Sequence, residues 1–127
     1  MNTIYGIVPP MVTPFTTDGG VDVNAIREDV EYLVGTTSVH GLAVCGSTGE
    51  GHTLTTDETR LITEATMDAV GGRVPVITGI ITDSTQGSVA RGKAVADLGV
   101  AALQVTPVHY LFRPTDDAMV EHFRTLT

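Results

Sequence analysis

Apolar runs and helix-like stripes alternate along the chain. Four stretches of nearly continuous apolar residues are separated by polar loops and by segments in which apolar residues recur every three or four positions. Such runs are typical of parallel strands buried on both faces, and the three-to-four spacing is typical of helices that bury one side. The predicted strands are residues 4–8 extended by 11–12, residues 42–45 led in by Val39, residues 74–81, and residues 100–105. Pro9 and Pro10 are expected to leave the regular ladder of the first strand.

A helix is predicted after each strand. The first ends at Gly35, the second begins at a capping box of Thr55 and Glu58, and Asp83 with Gln86 is expected to cap the third. The predicted apolar stripes are Val23, Ile26, Val30, Leu33 and Val34; then Leu61, Ile62, Ala65, Ala69 and Val70; then Val89, Ala90, Ala94, Val95 and Leu98; and, after Pro114 and Thr115, Met119, Val120, Phe123 and Leu126.

This β-α-β-α-β-α-β-α order fits two α/β architectures. One is a small open doubly wound sheet, and the other is half of a (β/α)8 barrel. The last residues, FRTLT at 123–127, lie inside a helical pattern without a cap, as expected of a domain that has been cut. Residues 1–127 are therefore expected to form a single truncated domain.

Composition narrows the function classes. A net charge of -8 argues against nucleic-acid binding and against anionic membrane surfaces, and a 42% hydrophobic content argues against disorder. The single cysteine, Cys45, excludes an internal disulfide and a C-x-x-C motif. The first residues resemble no signal peptide and no apolar stretch approaches the ~20 residues of a membrane span, so a cytoplasmic protein is expected.

The loop after the second predicted strand, GSTGEGHTL at residues 46–54, is the first candidate for chemistry. Gly46 would let backbones approach closely or adopt positive φ, and Ser47 and Thr48 offer hydroxyls and backbone N–H groups to a carboxylate or a phosphate. Alternatively, the hydroxyls cap their own backbone in a simple turn. The spacing matches neither phosphate-binding glycine motif. Glu50 is expected to have a structural role.

Two further residues beside this loop are weak candidates. His52 has no neighbouring histidine in the sequence, so no metal site is predicted, and Cys45 is expected to be a small apolar filler. The loop at residues 106–114 is the second candidate, because Tyr110 could relay protons and Arg113 could bind a carboxylate. An aromatic plug at an interface is the equal alternative.

Four motifs together resemble one family. GIVPPMVTPF at residues 6–15, GSTGE at 46–50, VPVITGI at 74–80 followed by ST at 84–85, and VTP at 105–107 followed by tyrosine and proline occur in the order found in the dihydrodipicolinate synthase and N-acetylneuraminate lyase family. The resemblance covers nearly all of the chain. It implies a (β/α)8 TIM barrel of which this chain covers about the first four βα units.

The resemblance also implies an activity. Members of this family are class I aldolases that form a Schiff base between pyruvate and a lysine on the sixth strand, and they need no metal or organic cofactor. Ser47 and Thr48, with Gly46, match the positions that hold the pyruvate carboxylate. Thr48 and Tyr110 match hydroxyls of a proton relay, although His109 is the alternative at the tyrosine position. The implied partners are pyruvate, an aldehyde and further copies of the chain, as a dimer or tetramer.

The chain departs from the family in one decisive respect. Its only lysine, Lys93, lies in the third predicted helix, so the Schiff-base lysine is absent and the isolated chain is expected to be inactive. A non-catalytic half-barrel that binds a small carboxylate or associates with itself is the second hypothesis. An open-sheet regulatory module is disfavoured, because there is no phosphate loop and no aspartate at a strand end.

Overall fold

In the computed structural model, which describes residues 3–108 and 113–127, three parallel strands form a sheet in the order β1-β2-β3. The elements are α1 (Val23–Val30) with a π-helical continuation (Glu31–Thr36), β1 (Leu42–Val44), α2 (Thr56–Val70), β2 (Val76–Ile80), α3 (Thr85–Val95) with a 3-10 turn (Ala96–Leu98), β3 (Ala102–Val105) and α4 (Asp116–Leu126). Ala43 lies opposite Ile77, and Thr78 lies opposite Leu103. The predicted alternation of helices with parallel strands is confirmed from β1 onward.

The prediction of a first strand at residues 4–8 is wrong. Gly6 has a φ of +68°, which breaks the extended backbone. A Cβ at this position would lie 2.6 Å from the ring of His40, whose Nδ1 accepts a hydrogen bond from the Ile7 N–H at 3.0 Å. The segment is therefore attached to the domain through the His40 side chain.

The proline pair lies outside the regular ladders of the sheet, as predicted, but it still takes part in one isolated bridge. A single parallel bridge joins Pro10 to Ala43. In that bridge, the Ala43 N–H donates to the Pro9 carbonyl at 3.1 Å, and the Met11 N–H donates to the Ala43 carbonyl at 2.8 Å. Neither bond needs a proline N–H, so this short pairing tolerates both prolines.

The second helix follows its capping box and buries Ile62, Ala65 and Val70 of its predicted stripe, but not Leu61. The Thr55 N–H donates to the Glu58 carboxylate at 2.7 Å, which lowers the pKa of that carboxyl group, and the Glu58 N–H donates to the Thr55 hydroxyl at 3.1 Å. Ile62 is buried as predicted, but Leu61 is 42% exposed. The remaining buried positions include Thr59, Thr63 and Thr66.

Those three threonines can be buried because their hydroxyls are satisfied locally. Each donates to a backbone carbonyl four residues earlier, at 2.7–2.9 Å, and Thr63 also lies 3.3 Å from the Thr78 hydroxyl on β2. A buried hydroxyl with a partner loses little free energy, whereas an unpaired one is costly. Threonine thus replaces part of the expected apolar stripe.

The third helix differs from prediction at its cap and along its face. Its N-cap is Ser84, not Asp83, and the Ser84 hydroxyl accepts from the Gly87 N–H at 3.0 Å. Val95 is buried as predicted, but Ala90 is exposed, and the other buried positions are Ser88 and Gly92.

The last helix buries one histidine and leaves two of its four predicted core residues exposed. His122 is 2% exposed, and its Nδ1 lies 2.9 Å from the Thr85 hydroxyl at the start of α3. Val120 and Phe123, predicted to face the core, are 54% and 39% exposed. The polar contact with Thr85 turns this side of α4 towards α3.

An apolar groove lies between α3, α4 and β3 and is lined by residues of all three elements. It has a volume of about 690 Å³ and is lined by residues that include Val89, Lys93, Leu103 and Phe123. The groove lies over the outer side of β3, whose Leu103 and Gln104 are both exposed. The expectation that every strand is buried on both faces is therefore wrong for β3. No helix within residues 3–108 and 113–127 has the length and apolar content to cross a membrane.

Candidate functional site

The segments that follow the strands converge at one end of the sheet. The Thr13 hydroxyl donates to the Gly49 carbonyl at 2.6 Å, which joins the first loop to the second. The Thr106 N–H donates to the Ile80 carbonyl at 3.1 Å, which joins the fourth loop to the end of β2. The carboxyl ends of parallel strands are where ligands bind in α/β folds, and the loop at residues 46–54 lies at this end.

Backbone hydrogen bonds close the loop at residues 46–54. The Gly51 N–H donates to the Gly46 carbonyl at 3.0 Å, and the Glu50 N–H donates to the Ser47 carbonyl at 3.2 Å. Further along, the Thr53 N–H and hydroxyl both donate to the Glu50 carbonyl, at 2.8 and 2.9 Å. The turn therefore holds its shape without the hydroxyls of residues 47 and 48.

Ser47 and Thr48 are exposed donors at the tip of this turn. Among the residues that the structure describes, neither hydroxyl and neither backbone N–H has a hydrogen-bond partner. The alternative in which these hydroxyls cap their own backbone is therefore wrong. Up to four donors are free to bind an anion.

Close backbone packing involves glycines other than Gly46. A Cβ on Gly51 would lie 1.9 Å from the Cys45 carbonyl oxygen, and a Cβ on Gly79 would lie 2.4 Å from the same atom. Gly46 itself has open space where a Cβ would stand, and its φ is not positive. The prediction that Gly46 allows a close backbone approach or a positive φ is therefore wrong. The open space beside Gly46 nevertheless leaves room for a ligand.

Two residues around the turn have left-handed backbones. Cys45 and Glu50 both have a φ of +56°, a conformation that costs a residue with a side chain on the order of 1–2 kcal/mol. Burial raises the pKa of the Cys45 thiol to about 12, so the thiol stays protonated at neutral pH. Cys45 is therefore no nucleophile and fills space in the core, as predicted.

Glu50 and His52 lie on the exposed rim of the site. Within the described part of the chain, the Glu50 carboxylate has no hydrogen-bond partner, and α2 is capped by Thr55 and Glu58 instead. Glu50 thus contributes to the turn through its backbone. Within the described residues its carboxylate neither caps a helix nor orients a backbone N–H group, so the structural role predicted for it is wrong.

Of the three residues predicted to act in the fourth loop, the structure describes only one. Tyr110 and its alternative His109 lie outside the described residues, so their predicted roles stay predictions. Arg113 is described, and its guanidinium donates to the Asp116 carboxylate at 3.2 Å on an exposed surface. In residues 3–108 and 113–127, no group of three or more histidine, cysteine, aspartate or glutamate residues is placed to hold a metal ion.

Arg91 is the site residue that sequence reasoning missed. Its guanidinium donates to the carbonyls of Gly51 and Ile81, both at 2.9 Å, and to the carbonyl of Leu54 at 2.6 Å. One signal was present in the sequence. Arg91 lies within the three-to-four spacing of Ser88, Gly92 and Val95, a face whose small residues leave room for a long side chain.

Comparison with known proteins gives a consistent result. The sequence pattern of the dihydrodipicolinate synthetase family matches residues 3–127. The 4-hydroxy-tetrahydrodipicolinate synthase of Salinibacter ruber is 40% identical over 121 residues, which are 95% of this chain and 39% of that protein.

Solved structures agree with the sequence comparison. A dihydrodipicolinate synthase of Bacillus anthracis superposes with a TM-score of 0.90 at 31% identity, over 99% of this chain and 42% of that one. An N-acetylneuraminate lyase of Mycoplasma synoviae superposes with a TM-score of 0.85 at 28% identity, over 94% of this chain and 41% of that one. The chain thus spans about two fifths of these relatives and has the fold of the first four βα units of a (β/α)8 barrel.

Proposed function

The chain belongs to the dihydrodipicolinate synthetase family, and we propose on this basis that residues 46–48 hold the carboxylate of a keto acid, pyruvate. The proposed activity of the whole enzyme is that of a Schiff-base lyase or aldolase. It joins or splits a carbon–carbon bond between pyruvate and an aldehyde, or dehydrates a related keto acid. No metal or organic cofactor is needed, because a lysine activates the substrate.

In the proposed mechanism, this chain supplies the binding half of the site. The hydroxyls and N–H groups of Ser47 and Thr48 donate to the carboxylate and fix the orientation of the adjacent carbonyl carbon. The Thr48 hydroxyl, with Tyr110, passes a proton to or from the reacting carbon. The nucleophilic lysine must come from elsewhere, because Lys93 lies on α3 and lines the groove behind the sheet.

One observation carries the proposal. Ser47 and Thr48 present donors at the carboxyl end of β1 that have no partner among the described residues, and the turn that carries them is closed by other groups. Hydrogen bonds to a charged acceptor contribute about 1.5–3 kcal/mol each, so two such residues suffice for a weak, specific carboxylate site. A cytoplasmic location and a dimeric or tetrameric state stay predictions.

Pyruvate is expected to shift the amide NMR signals of residues 46–48 in a saturable way. Ser47→Ala or Thr48→Val should weaken this binding about tenfold, because each removes a hydrogen bond to a charged group. Ser38→Ala is the control, since Ser38 is an exposed serine that lies before the opposite end of β1.

A neutral analogue separates charge recognition from general binding. Methyl pyruvate keeps the keto carbon but lacks the carboxylate, so it should leave the signals of residues 46–48 unchanged. Equal shifts with both compounds, or unchanged affinity in both loop variants, would contradict the proposal.

The 127-residue chain alone is expected to form no Schiff base. Incubation with pyruvate and borohydride should leave its intact mass unchanged, because Lys93 lies away from residues 46–48. The Lys93→Arg variant, which has no lysine, is the matched control. A reduced pyruvate adduct that appears on the wild-type chain and disappears in this variant would refute the expectation.

A second candidate function is favoured by the exposed apolar surface. Leu103 and Phe123 in the groove are 40% and 39% exposed, and β3 pairs with β2 alone among the described residues. An unpaired strand edge next to apolar side chains favours association. In this alternative the chain is a non-catalytic half-barrel that binds a small carboxylate or associates with itself.

A further inference from the structure

We propose that Arg91 is a positioning residue for the carboxylate site, an inference that rests on the proposed function. Arg91 belongs to α3, and none of its hydrogen bonds within the described part of the chain goes to residues 46–48. Its guanidinium donates to the carbonyls of Gly51 and Leu54 in the site loop, and to that of Ile81 just after β2. One side chain therefore connects the third helix, the second strand and the loop.

Two hydrogen bonds link Arg91 to the donors. The first runs from its guanidinium to the Gly51 carbonyl at 2.9 Å. The second runs from the Gly51 N–H to the Gly46 carbonyl at 3.0 Å, directly before Ser47. If Gly51 moves, the closure of the turn at Gly46 is lost, and the N–H groups of residues 47 and 48 no longer point to one place. Arg91 thus acts through Gly51.

The shape of the guanidinium matters for this role. Three carbonyls at 2.6–2.9 Å accept from its two terminal nitrogens, which a planar fork of donors allows. A lysine ammonium is a point charge and cannot hold the same three acceptors in one plane. Arg91→Lys is therefore expected to keep the charge and lose the positioning.

The charge of Arg91 also favours an anion at the loop. Arg91 has no ion-pair partner in the described part of the chain, whereas four other arginines there each lie close to a carboxylate. Its positive charge reaches Cys45, next to Gly46, where it opposes the effect of burial on the pKa of the thiol. In a protein with a net charge of -8, this cation lies close to where a carboxylate would bind.

Arg60 provides a matched control. It also connects two helices, because its guanidinium donates to the Asp97 carboxylate at 2.6 and 2.9 Å and to the Ala94 carbonyl at 2.5 Å. These acceptors lie at the C-terminal end of α3 and in the 3-10 turn that follows it, and none of them belongs to the loop at residues 46–54. Arg60→Gln should lower the melting temperature and change the pyruvate dissociation constant less than twofold.

The test compares pyruvate titrations of the wild-type chain, Arg91→Gln, Arg91→Lys and Arg60→Gln by amide NMR, with melting temperatures measured in parallel. Both Arg91 variants are expected to bind pyruvate at least tenfold more weakly, with faster amide hydrogen exchange at Gly51. If Arg91→Gln does not fold, Arg91→Lys decides the matter by the same criteria.

The two proposals fail in different ways. If the wild-type chain binds pyruvate and a folded Arg91 variant binds it within twofold, the positioning role is refuted and the carboxylate site stands. Weakening in Arg60→Gln equal to that in the Arg91 variants would also refute it, because the effect would then follow stability alone. If the wild-type chain shows no saturable binding, the carboxylate site itself is refuted and the role of Arg91 falls with it.

Discussion

Gly51→Ala is expected to destabilise the chain by at least about 3 kcal/mol, the upper part of the range for overpacking. The added Cβ would stand 1.9 Å from the Cys45 carbonyl oxygen and 2.7 Å from its carbonyl carbon. Both neighbours are backbone atoms, so no side-chain rotation can relieve the clash. The melting temperature should fall by roughly 10–15 °C in a domain of this size.

Gly46→Ala is the control for this prediction. Gly46 lies in the same loop, but a Cβ there meets nothing within 4 Å, so stability should change by less than about 0.5 kcal/mol. Gly46→Ala is a control for stability and not for binding, because the added methyl group enters space that pyruvate is proposed to occupy. Thermal unfolding followed by circular dichroism measures both variants. Equal melting temperatures for the two would show that residue 51 tolerates a side chain and that the close approach is wrong.

Ile62→Ala is expected to cost about 2–5 kcal/mol, the range for deleting a buried aliphatic side chain and leaving a cavity. Ile62 is 2% exposed in the main core cluster, and α2 contacts both β1 and β2. The sequence pattern assigns equal importance to Leu61, whereas the structure places it at 42% exposure. Leu61→Ala should therefore change the free energy of unfolding by less than about 0.5 kcal/mol.

Urea unfolding of the two adjacent variants tests the orientation of α2. The slope of the unfolding free energy against urea should be the same for both, so that their midpoints can be compared directly. If Leu61→Ala costs as much as Ile62→Ala, the helix is rotated relative to the structure described here. That result would also place the hydroxyls of Thr59 and Thr63 differently.

Local signals predicted the order of elements from β1 onward. The capping box at Thr55 and Glu58 marks the start of α2, and Gly71, with a φ of +56°, ends it. The apolar runs locate three strands, and the burial typical of parallel strands is found in β1 and β2 but not in β3. These features depend on neighbours in sequence, and a pattern therefore reveals them.

The errors arose where partners distant in sequence decide the structure. The segment at residues 4–8 is apolar enough for a strand, but the ring of His40 occupies the space beside Gly6. On α2 the cause is partly local, since carbonyls four residues earlier accept the threonine hydroxyls, and partly distant, since the Thr63 hydroxyl lies 3.3 Å from that of Thr78. On α4, a histidine is buried by a contact with Thr85, 37 residues earlier.

The sequence predicted the candidate site in part, as it did the fold. The position of the loop at residues 46–54 followed from strand order, and its motif gave the family. The contacts of Arg91 were missed, because its three acceptors are backbone carbonyls, which carry no residue-specific signal, and its spacing on α3 indicates only the inner face of the helix. The close approach of Gly51 and Gly79 to Cys45 depends on backbone paths that only the folded chain brings together.

The two edges of the sheet differ in how well they can pair with a further strand, because one of them contains the bridge at Pro10. Pro9 and Met11 turn their polar groups toward β1, so Pro10, between them, faces the opposite side. There it offers a carbonyl but no N–H, and an incoming strand would meet a gap in its ladder of donors. On β3, Ala102–Val105, every residue keeps its N–H. Non-specific strand addition, as in aggregation, is therefore directed to β3 and opposed at Pro10.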